Sequence, residues 1–381
     1  MSTFLIHTQT IGGHQLEYLH HLYMGALKRD SDRFVFVVPG RFERDSARLE
    51  WPRACHIQIV VMTLEEEVPI DCGLLSKGWR NSKVIRKYVR QYDITDVIVI
   101  SLMEYLPFLP LFLNKHVRVR GIVYRIYLYE WQNESRLKKW QDAVKYFLLS
   151  QCRVFDRVFI CNDSASSQYL NRLFHTCKFK YMPDPVSSLH NYLGQDIREE
   201  LGIPKSSIVF LHPGSMNCYK NTLGILRSLH SMDEDELRNI VVIFAGQVKK
   251  DIQDDFNKLF EIVSTKVHLV LLEGYLSFEK MADLFVTCNY VLIPYTVKGQ
   301  SSGIVGHAAF YGRPVIVVGD GIIGKIVRRW RLGYLLRDSS EMSICGILRS
   351  LLQDAHEYES RNIDYLEGHS IERFNDAIYG S

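Results

Sequence analysis

Two segments in the second half of the chain carry residue types that can hold an anion. In the first, an apolar run ends at Leu211, and His212-Pro213-Gly214-Ser215 then leads to Lys220. A glycine lets a ligand approach the backbone, and a lysine ammonium can reach a diphosphate as a point charge. This segment alone leaves a second interpretation open, a surface turn with a solvated lysine.

The second segment has a stronger pattern for anion binding. An apolar strand pattern ends at Ile293, a polar loop runs through Gln300-Ser301-Ser302-Gly303, and a helix of small residues follows. The N–H groups and the dipole at a helix N-terminus favour anions, and serine hydroxyls add donors. The alternative is that Ser302 only caps the helix and that the glycines serve packing.

Two histidines can supply acid–base chemistry, because an imidazole titrates near neutral pH. His14 follows Gly12-Gly13 at a predicted strand-to-helix turn, where two glycines allow close backbone approach. His307 lies on the small-residue helix. Each also has a structural interpretation: His14 can simply flank the helical pattern Gln15–Arg29, and His307 can be a buried packing residue.

The elements that must position these residues alternate between short apolar runs and longer helical patterns. Most runs are rich in Val and Ile and apolar throughout, which is typical of strands buried on both faces of a parallel sheet. The predicted strands are Thr3–His7, Phe34–Val38, His56–Val61, Asp96–Ile100, Val117–Val123, Arg157–Ile160, Ile208–Leu211, Ile240–Phe244, Val267–Leu272, Tyr290–Ile293, Pro314–Val318 and Gly333–Leu336. The repeated β-α-β order predicts an open α/β sheet.

The α/β series starts twice, which predicts two Rossmann-like domains. Tyr181-Met182-Pro183-Asp184-Pro185-Val186 is interpreted as a link, because two prolines disfavour both a helix and an inner strand. A chain of 381 residues is long enough for two domains. We therefore expect domains over residues 1–184 and 190–365, with the link at 184–200.

Composition excludes several classes of function. Lys and Arg (46) nearly balance Asp and Glu (43), so the formal charge of +3 does not indicate a nucleic-acid partner. The eight cysteines form no CxxC pair, which argues against a zinc site and favours reduced cysteines in a cytoplasmic protein. Asp30-Ser31-Asp32 is flanked by arginines and follows no apolar strand, so we interpret it as a solvated turn and expect no metal.

No stretch of the sequence reaches the ~20 apolar residues of a membrane-spanning helix, and Phe4-Leu5-Ile6 is too short for a signal peptide. The basic amphipathic segment 136–149 leaves two interpretations open. It can rest peripherally on a membrane, at its inner face, through Lys138, Lys139 and Lys145. Alternatively it is an ordinary helix that packs Leu137, Val144 and Leu148 on the core, with its lysines in water.

The second segment resembles the donor-site helix of GT-B-fold glycosyltransferases, particularly the family-four-type enzymes that build bacterial surface polysaccharides. The match reads Ser302-Gly303-Ile304-Val305-Gly306-His307-Ala308-Ala309, followed by Gly312-Arg313-Pro314-Val315. It departs from the common family pattern at two glutamates, whose positions are held here by Gly299 and His307. The resemblance is good over about residues 205–340 and weak elsewhere.

Other segments resemble the family in the same order. Gly214 and Lys220 match the family's loop glycine and phosphate-binding lysine, while Ser215 replaces its arginine. Leu272-Glu273-Gly274-Tyr275 resembles the turn that lies beside the nucleotide base. Ile11-Gly12-Gly13-His14 resembles the glycine-rich loop that faces the sugar and the acceptor.

The resemblance implies the GT-B architecture: two Rossmann-like domains with a donor cleft between them, and a C-terminal helix at about 368–381 that packs back on the N-terminal domain. It implies catalytic roles for His14 and His307. The implied contacts with the nucleotide-sugar are Gly13, Gly214, Ser215, Lys220, Gly274, Tyr275, Gln300, Ser301, Ser302 and Gly303. It implies no cofactor other than the nucleotide-sugar, which is a substrate.

The expected function is metal-independent transfer of a sugar from a nucleotide-sugar to a glycan or a lipid-linked acceptor. Two rival functions remain open, a nucleotide-sugar epimerase of the same fold and a catalytically inactive nucleotide-sugar-binding homologue. An epimerase would bring more carboxylates to the sugar than the segment after Gly303 offers. An inactive homologue has no need to keep Lys220 and the serine pair Ser301-Ser302.

Overall fold

The computed structural model describes residues 2–11, 14–47, 49–69, 72–131, 134–186, 192–353 and 363–380, and for residue 14 only the backbone. Two units divide the chain between them. The first is Met1–Asp184 with Ile371–Ser381, and the second is Pro185–Ser370. Each unit is built on one parallel sheet covered by helices.

The first unit contains a seven-stranded parallel sheet in the order β3-β2-β1-β4-β5-β6-β7. Its strands are β1 (Thr3–His7), β2 (Arg33–Val38), β3 (Ile57–Val61), β4 (Asp96–Val99), β5 (Arg118–Val123), β6 (Phe155–Cys161) and β7 (Phe179–Met182). Its helices are α1 (His14–Ala26), α2 (Phe42–Ser46), α3 (Leu74–Gln91), α4 (Leu109–Phe112), α5 (Arg136–Gln151) and α6 (Ser164–Leu173). The inner strand β4 is buried at every position, because helices cover both faces of the sheet.

The second unit contains a six-stranded parallel sheet in the order β10-β9-β8-β11-β12-β13. Its strands are β8 (Ile208–Pro213), β9 (Ile240–Gly246), β10 (His268–Glu273), β11 (Tyr290–Ile293), β12 (Val315–Val318) and β13 (Gly333–Leu336). Its helices are α7 (Thr222–His230), α8 (Glu234–Leu237), α9 (Gln253–Ser264), α10 (Phe278–Thr287), α11 (Gly303–Phe310), α12 (Gly321–Trp330), α13 (Glu341–Gln353) and α14 (Ile363–Gly368). On one face of the sheet, the strands carry aromatic rings such as Phe210 and Phe244. These rings pack beneath α7 and α9 in one apolar core.

The last helix, α15 (Ile371–Tyr379), belongs to the first unit. It lies against α1, where the Phe374 ring is 5.0 Å from the Tyr18 ring. The Tyr379 hydroxyl donates to the Leu22 carbonyl at 2.8 Å, so the end of the helix is fixed by a buried hydrogen bond. The chain therefore returns to its first unit after completing the second.

The strands follow the sequence prediction closely, with one exception. All twelve predicted strands are present, with no end displaced by more than two residues. The last two residues of β7, Tyr181 and Met182, were assigned to the link between domains, and that prediction is wrong. The strand lies at the sheet edge and its two middle residues, Lys180 and Tyr181, are exposed, so it has no continuous apolar run to signal it.

Helix α5 does not present the face that ordinary packing predicts. Leu137 is 66% exposed and Trp140 is 65% exposed. Lys145, in contrast, has its ammonium 3.6 Å from the buried Asp142 carboxylate. The interpretation in which Leu137 packs on the core and the lysines extend into water is therefore wrong for both Leu137 and Lys145.

No helix within the described residues combines the length and the apolar character needed to cross a bilayer.

Candidate functional site

The order of the second sheet brings the two predicted anion-binding loops to one place. The chain runs outward from β8 through β9 to β10, then crosses back to add β11 on the other side of β8. Strands β8 and β11 are therefore neighbours, paired in parallel at Tyr290 and Phe210. The loops that follow them leave the same carboxyl edge at the point where the strand order reverses, which is where open α/β sheets bind ligands.

The loop after β8 folds its lysine back over its glycine. The Lys220 ammonium lies 3.4 Å from the Pro213 carbonyl oxygen, at the end of β8. Gly214 has φ of +92°, and a Cβ atom there would lie 2.5 Å from the Lys220 Nζ atom. A glycine is required at this position both for the backbone conformation and for the path of the lysine side chain.

The loop after β11 is tied directly to the lysine loop. Thr296 donates from its backbone N–H to the Tyr219 carbonyl at 2.9 Å and from its hydroxyl at 3.1 Å. The Lys220 ammonium lies 5.3 Å from the centre of the Tyr295 ring, close enough for a cation–π contact. These contacts hold the two loops together at the residue next to Lys220.

Ser302 occupies the N-cap position of α11 without capping it through its side chain. Its backbone is extended there, with φ of −142°, and the residue is buried. The hydroxyl makes no capping hydrogen bond. The interpretation that Ser302 serves only as a capping side chain therefore has no support from the geometry.

A third loop, between β12 and α12, fixes the loop that precedes Ser302. The Lys298 ammonium lies 2.6 Å from the Asp320 carboxylate, and this hydrogen bond holds the pKa of Asp320 below its usual range. The backbone N–H of Ile322 donates to the Lys298 carbonyl at 2.9 Å. Sequence reasoning missed this ion pair, because its two residues belong to different strand-to-helix connections.

His212 is a structural residue that sequence reasoning did not single out. It is fully buried at the end of β8, and burial lowers its pKa to about 4, so it is neutral near pH 7. One ring nitrogen, Nδ1, lies 2.8 Å from the Leu292 carbonyl, and Nε2 lies 3.0 Å from the Thr222 hydroxyl. A neutral imidazole with its proton on Nδ1 donates to the first and accepts from the second. His212 therefore joins β8 to β11 and to the start of α7.

The turn after β10 reaches the same edge through two close glycine contacts. The backbone N–H of Gly274, whose φ is +110°, donates to the Gly246 carbonyl at 3.3 Å. Gly246 lies against the Gly214 carbonyl, and a Cβ atom would come within 2.3 Å of that oxygen. The Tyr275 side chain is 71% exposed at this edge. Ser215, Gln300, Ser301 and Gly303 are half-buried along the same loops.

The structure describes the side chain of only one of the two predicted catalytic histidines. His307 lies in the second turn of α11 and is buried, with its ring 6.0 Å from the Phe285 ring. Gly13 and the side chain of His14 lie outside the described residues, although α1 begins at His14. The catalytic roles of both histidines stay predictions.

The first sheet also reverses its strand order, between β1 and β4, and a buried histidine lies at that point. The Nδ1 atom of His7, the last residue of β1, is 2.7 Å from the Tyr105 hydroxyl, and burial lowers the His7 pKa to about 3. Its Nε2 atom is buried without a hydrogen-bond partner. Burial also raises the pKa of Glu104, the residue that precedes Tyr105. Sequence reasoning missed His7 because it closes an apolar run.

Within the described residues, no group of three or more His, Cys, Asp or Glu side chains is arranged to hold a metal ion. In the formal Asp-x-Asp motif, Asp32 accepts from the backbone N–H of Ser2 at 2.8 Å and pairs with Arg29 at 3.2 Å. These contacts are those of a turn that joins α1 to β2. The prediction that the turn is solvated is wrong for Asp32, which is buried by them.

No family model and no curated protein sequence matches the chain. Solved structures do match it over nearly its whole length. Anabaena HepE in complex with UDP and glucose has a TM-score of 0.70 at 13% identity, covering 100% of this chain and 98% of that one. WaaG, a glycosyltransferase involved in lipopolysaccharide biosynthesis, has a TM-score of 0.69 at 13% identity and covers 100% of both chains. Sucrose-phosphate synthase from Thermosynechococcus elongatus has a TM-score of 0.67 at 13% identity, covering 99% and 94%.

These similarities establish the architecture. The chain has two parallel α/β sheets with interleaved helices, which is the GT-B fold that the sequence resemblance predicted. The closer assignment to family-four-type enzymes stays a prediction.

Proposed function

We propose that this GT-B-fold chain is a glycosyltransferase that moves a sugar from a nucleotide-sugar to a glycan or a lipid-linked acceptor without a metal ion. The observation that carries the proposal is the position of Lys220. It lies at the switch point of the second sheet, in a loop hydrogen-bonded to the loop that leads to Ser302. HepE, which shares the fold, is known with UDP and with UDP-glucose, so UDP is the first nucleotide to test.

The charge of Lys220 fits a departing diphosphate. Glycosyl transfer develops negative charge on the leaving group, and fixed donors must stabilise that charge when no metal does so. Within the described residues, Lys220 makes no ion pair with a carboxylate; it contacts a carbonyl oxygen and the face of Tyr295. Its charge is therefore available to an anion that enters beside Gly214.

The helix start at Ser302 supplies the second group of donors. In this proposal the hydroxyls of Ser301 and Ser302 and the first backbone N–H groups of α11 bind the phosphate oxygens. The Ser302 hydroxyl is not used in capping the helix, which supports this role.

The acid–base role is assigned to His14 and His307. His14 begins α1 after the glycine pair of the first unit, where the family resemblance puts the sugar and the acceptor. His307 lies on the helix that starts at the proposed diphosphate site. Changing His307 to Gln should reduce turnover more than it weakens nucleotide binding if the imidazole acts on the sugar. An equal effect on both would instead identify His307 as a packing residue against Phe285.

Incubation of the protein with a panel of nucleotide-sugars and a mixed glycan or lipid-linked acceptor fraction tests the proposal. Free nucleotide together with a glycosylated acceptor is the expected result. An isomerised nucleotide-sugar would identify an epimerase, and binding without any product would identify an inactive homologue. Lys220→Ala should abolish product formation, and the matched control is Lys258→Ala, an exposed lysine on α9.

A further inference from the structure

Four helices of the first unit cover one face of its sheet. The connections through α3, α4, α5 and α6 all advance across the sheet in the direction of β7, whereas those through α1 and α2 advance the opposite way. Because β-α-β crossovers are right-handed, connections that advance in the same direction place their helices on the same face. Helix α15 contacts α1 and so lies on the other face.

The outer side of this four-helix layer is unusually apolar. Its exposed large apolar side chains are Leu74, Leu75, Trp79, Leu111, Leu137, Trp140, Phe147, Tyr169 and Leu173. Among the described residues, α1, α2 and α15 on the opposite face expose no large apolar side chain. Exposed apolar side chains that share one side of a folded unit point to an interaction surface where they adjoin one another.

Helix α3 adds a strong positive charge to the same surface. Its 18 residues contain no Asp or Glu, and its basic residues are Lys77, Arg80, Lys83, Arg86, Lys87 and Arg90. Lys87 pairs with Glu66 at 2.5 Å, and within the described residues the other five make no ion pair with a carboxylate. Five of the six basic side chains of the helix are therefore not neutralised by an ion pair.

The aromatic and basic side chains of α3 and α4 form one ordered patch. The Trp79 ring lies 5.3 Å from Phe108 and 4.8 Å from Phe112. The Lys83 ammonium lies 5.6 Å from the centre of the Trp79 ring, and the Arg86 guanidinium lies 5.8 Å from Phe112. We call this surface, with the exposed leucines Leu74, Leu75 and Leu111, the α3–α4 patch.

We propose that the α3–α4 patch docks the protein on an anionic membrane surface. Leu74 and Leu75, at the start of α3, are 63% and 66% exposed, and Leu111 on α4 is 76% exposed. These side chains can enter the boundary between lipid headgroups and acyl chains. Tryptophan prefers that boundary, and the neighbouring lysines and arginines remain at the level of the lipid phosphates. The purpose of this docking rests on the proposed function, since it would bring a lipid-linked acceptor to the enzyme.

Other occupants fit the patch less well. A symmetric dimer formed through it would place the unneutralised cations of α3 against the same cations of a second copy, which is repulsive. A nucleic acid would use the cations but would leave the exposed leucines in water. An anionic bilayer satisfies both the charge and the apolar side chains.

The α3–α4 patch offers more unpaired charge than the lysines of α5 do. Lys138 and Lys145 have their ammonium groups 5.3 and 5.5 Å from the Tyr127 ring, and Lys145 also pairs with Asp142. Within the described residues, only Lys145 of these α5 lysines is ion-paired, so Lys138 and Lys139 keep their charge. Among the same residues, helix α3 carries five cations without an ion pair and is therefore the larger basic contact.

Flotation of the full chain with phosphatidylcholine vesicles, with and without phosphatidylglycerol, tests the proposal. The wild type should float only with the anionic vesicles, and less so at high salt. A basic side chain near such a surface contributes about 1 kcal/mol, so Lys83→Glu with Arg86→Glu should reduce binding by at least about 10-fold. Leu74→Ser with Leu75→Ser should reduce it as well, because these side chains are exposed and their loss does not disturb the core.

Matched controls on other surfaces separate the patch from general stickiness. Lys28→Glu with Arg44→Glu changes two exposed cations on α1–β2 and α2, and Met342→Ser changes an exposed apolar residue of α13. These variants should float like the wild type. Equal loss in the controls, or no loss in the patch variants, would overturn the proposal, as would self-association of the wild type without lipid that the patch variants abolish.

Quenching of tryptophan fluorescence by brominated lipids gives the position of contact. Trp79→Phe should lose a large part of the quenching, and unchanged quenching in that variant would contradict docking through the patch. UDP binding, measured on the same variants, reports the second unit separately. Patch variants that bind UDP normally but not vesicles support the docking surface, and a wild type that floats but does not bind UDP would contradict only the proposed function.

Discussion

Lys220 carries the largest share of the proposed diphosphate site. Charge-assisted hydrogen bonds contribute roughly 1.5–3 kcal/mol each. Lys220→Ala should therefore weaken UDP binding about 10- to 100-fold in isothermal titration calorimetry, with little change in stability. Ser302→Ala should cost less, because the backbone donors of α11 remain.

The control for this prediction is Lys258→Ala, which removes an equal charge from an exposed position on α9. It should bind UDP like the wild type. If the wild type and Lys220→Ala bind UDP with equal affinity, the loop after β8 does not form the diphosphate site.

His212 makes the stability of the second unit depend on pH. Burial lowers its pKa from 6.5 to about 4, so the unfolded chain takes up the proton first as the pH falls. The stabilisation is complete above pH 6.5 and is lost between 6.5 and 4, at up to about 1.4 kcal/mol per pH unit. His212→Gln can keep one donor and one acceptor but does not titrate.

Urea unfolding of both proteins at about pH 7 and about pH 4.5 measures this effect. The stability advantage of the wild type over His212→Gln should shrink by about 2 kcal/mol at the lower pH. A difference that is independent of pH would show that His212 is not held neutral by burial.

At the scale of the elements, the loop between β11 and α11 depends on the start of α12. Gly321 has φ of +87°, and a Cβ atom there would lie 2.6 Å from the Lys298 carbonyl oxygen. Gly321→Ala should therefore displace the loop, cost about 1–3 kcal/mol of stability and weaken UDP binding. Thermal unfolding and calorimetry measure the two effects.

Gly346 on α13 is the matched control for that substitution. It lies within a helix and has no atom within 4 Å of the position of a Cβ. Gly346→Ala should leave UDP binding unchanged and stabilise the protein by up to about 1 kcal/mol. If Gly321→Ala behaves in the same way, the start of α12 does not position the loop.

At the scale of the whole molecule, the reaction is proposed to need no metal ion. The proposed anion site consists of a lysine, hydroxyls and backbone N–H groups, and these are not ligands that hold Mg²⁺ or Mn²⁺. Glycosyl transfer should therefore proceed at an unchanged rate in EDTA, measured as nucleotide release with acceptor present. Complete loss of activity that Mn²⁺ or Mg²⁺ restores would contradict this mechanism.

The sequence by itself determined most of the elements. Strand β11 was predicted at Tyr290–Ile293 with both ends correct, because a short apolar run bounded by polar residues and a proline is typical of a buried strand. The two loops with Gly214 and Ser302 were recognised because each follows such a strand. Parallel strands end at a common edge, so the sequence also predicted that both loops would share it.

Only the tertiary structure decided which strands are neighbours and which side chains meet. Buried apolar runs look alike along the chain, so nothing in them specified that β8 lies next to β11. The roles of His212 and of the Lys298–Asp320 pair arise from contacts between segments that are distant in sequence. The interpretation that placed Leu137 of α5 in the core was wrong for the same reason. An amphipathic helix has two faces, and only the packing of its neighbours selects the one that is buried.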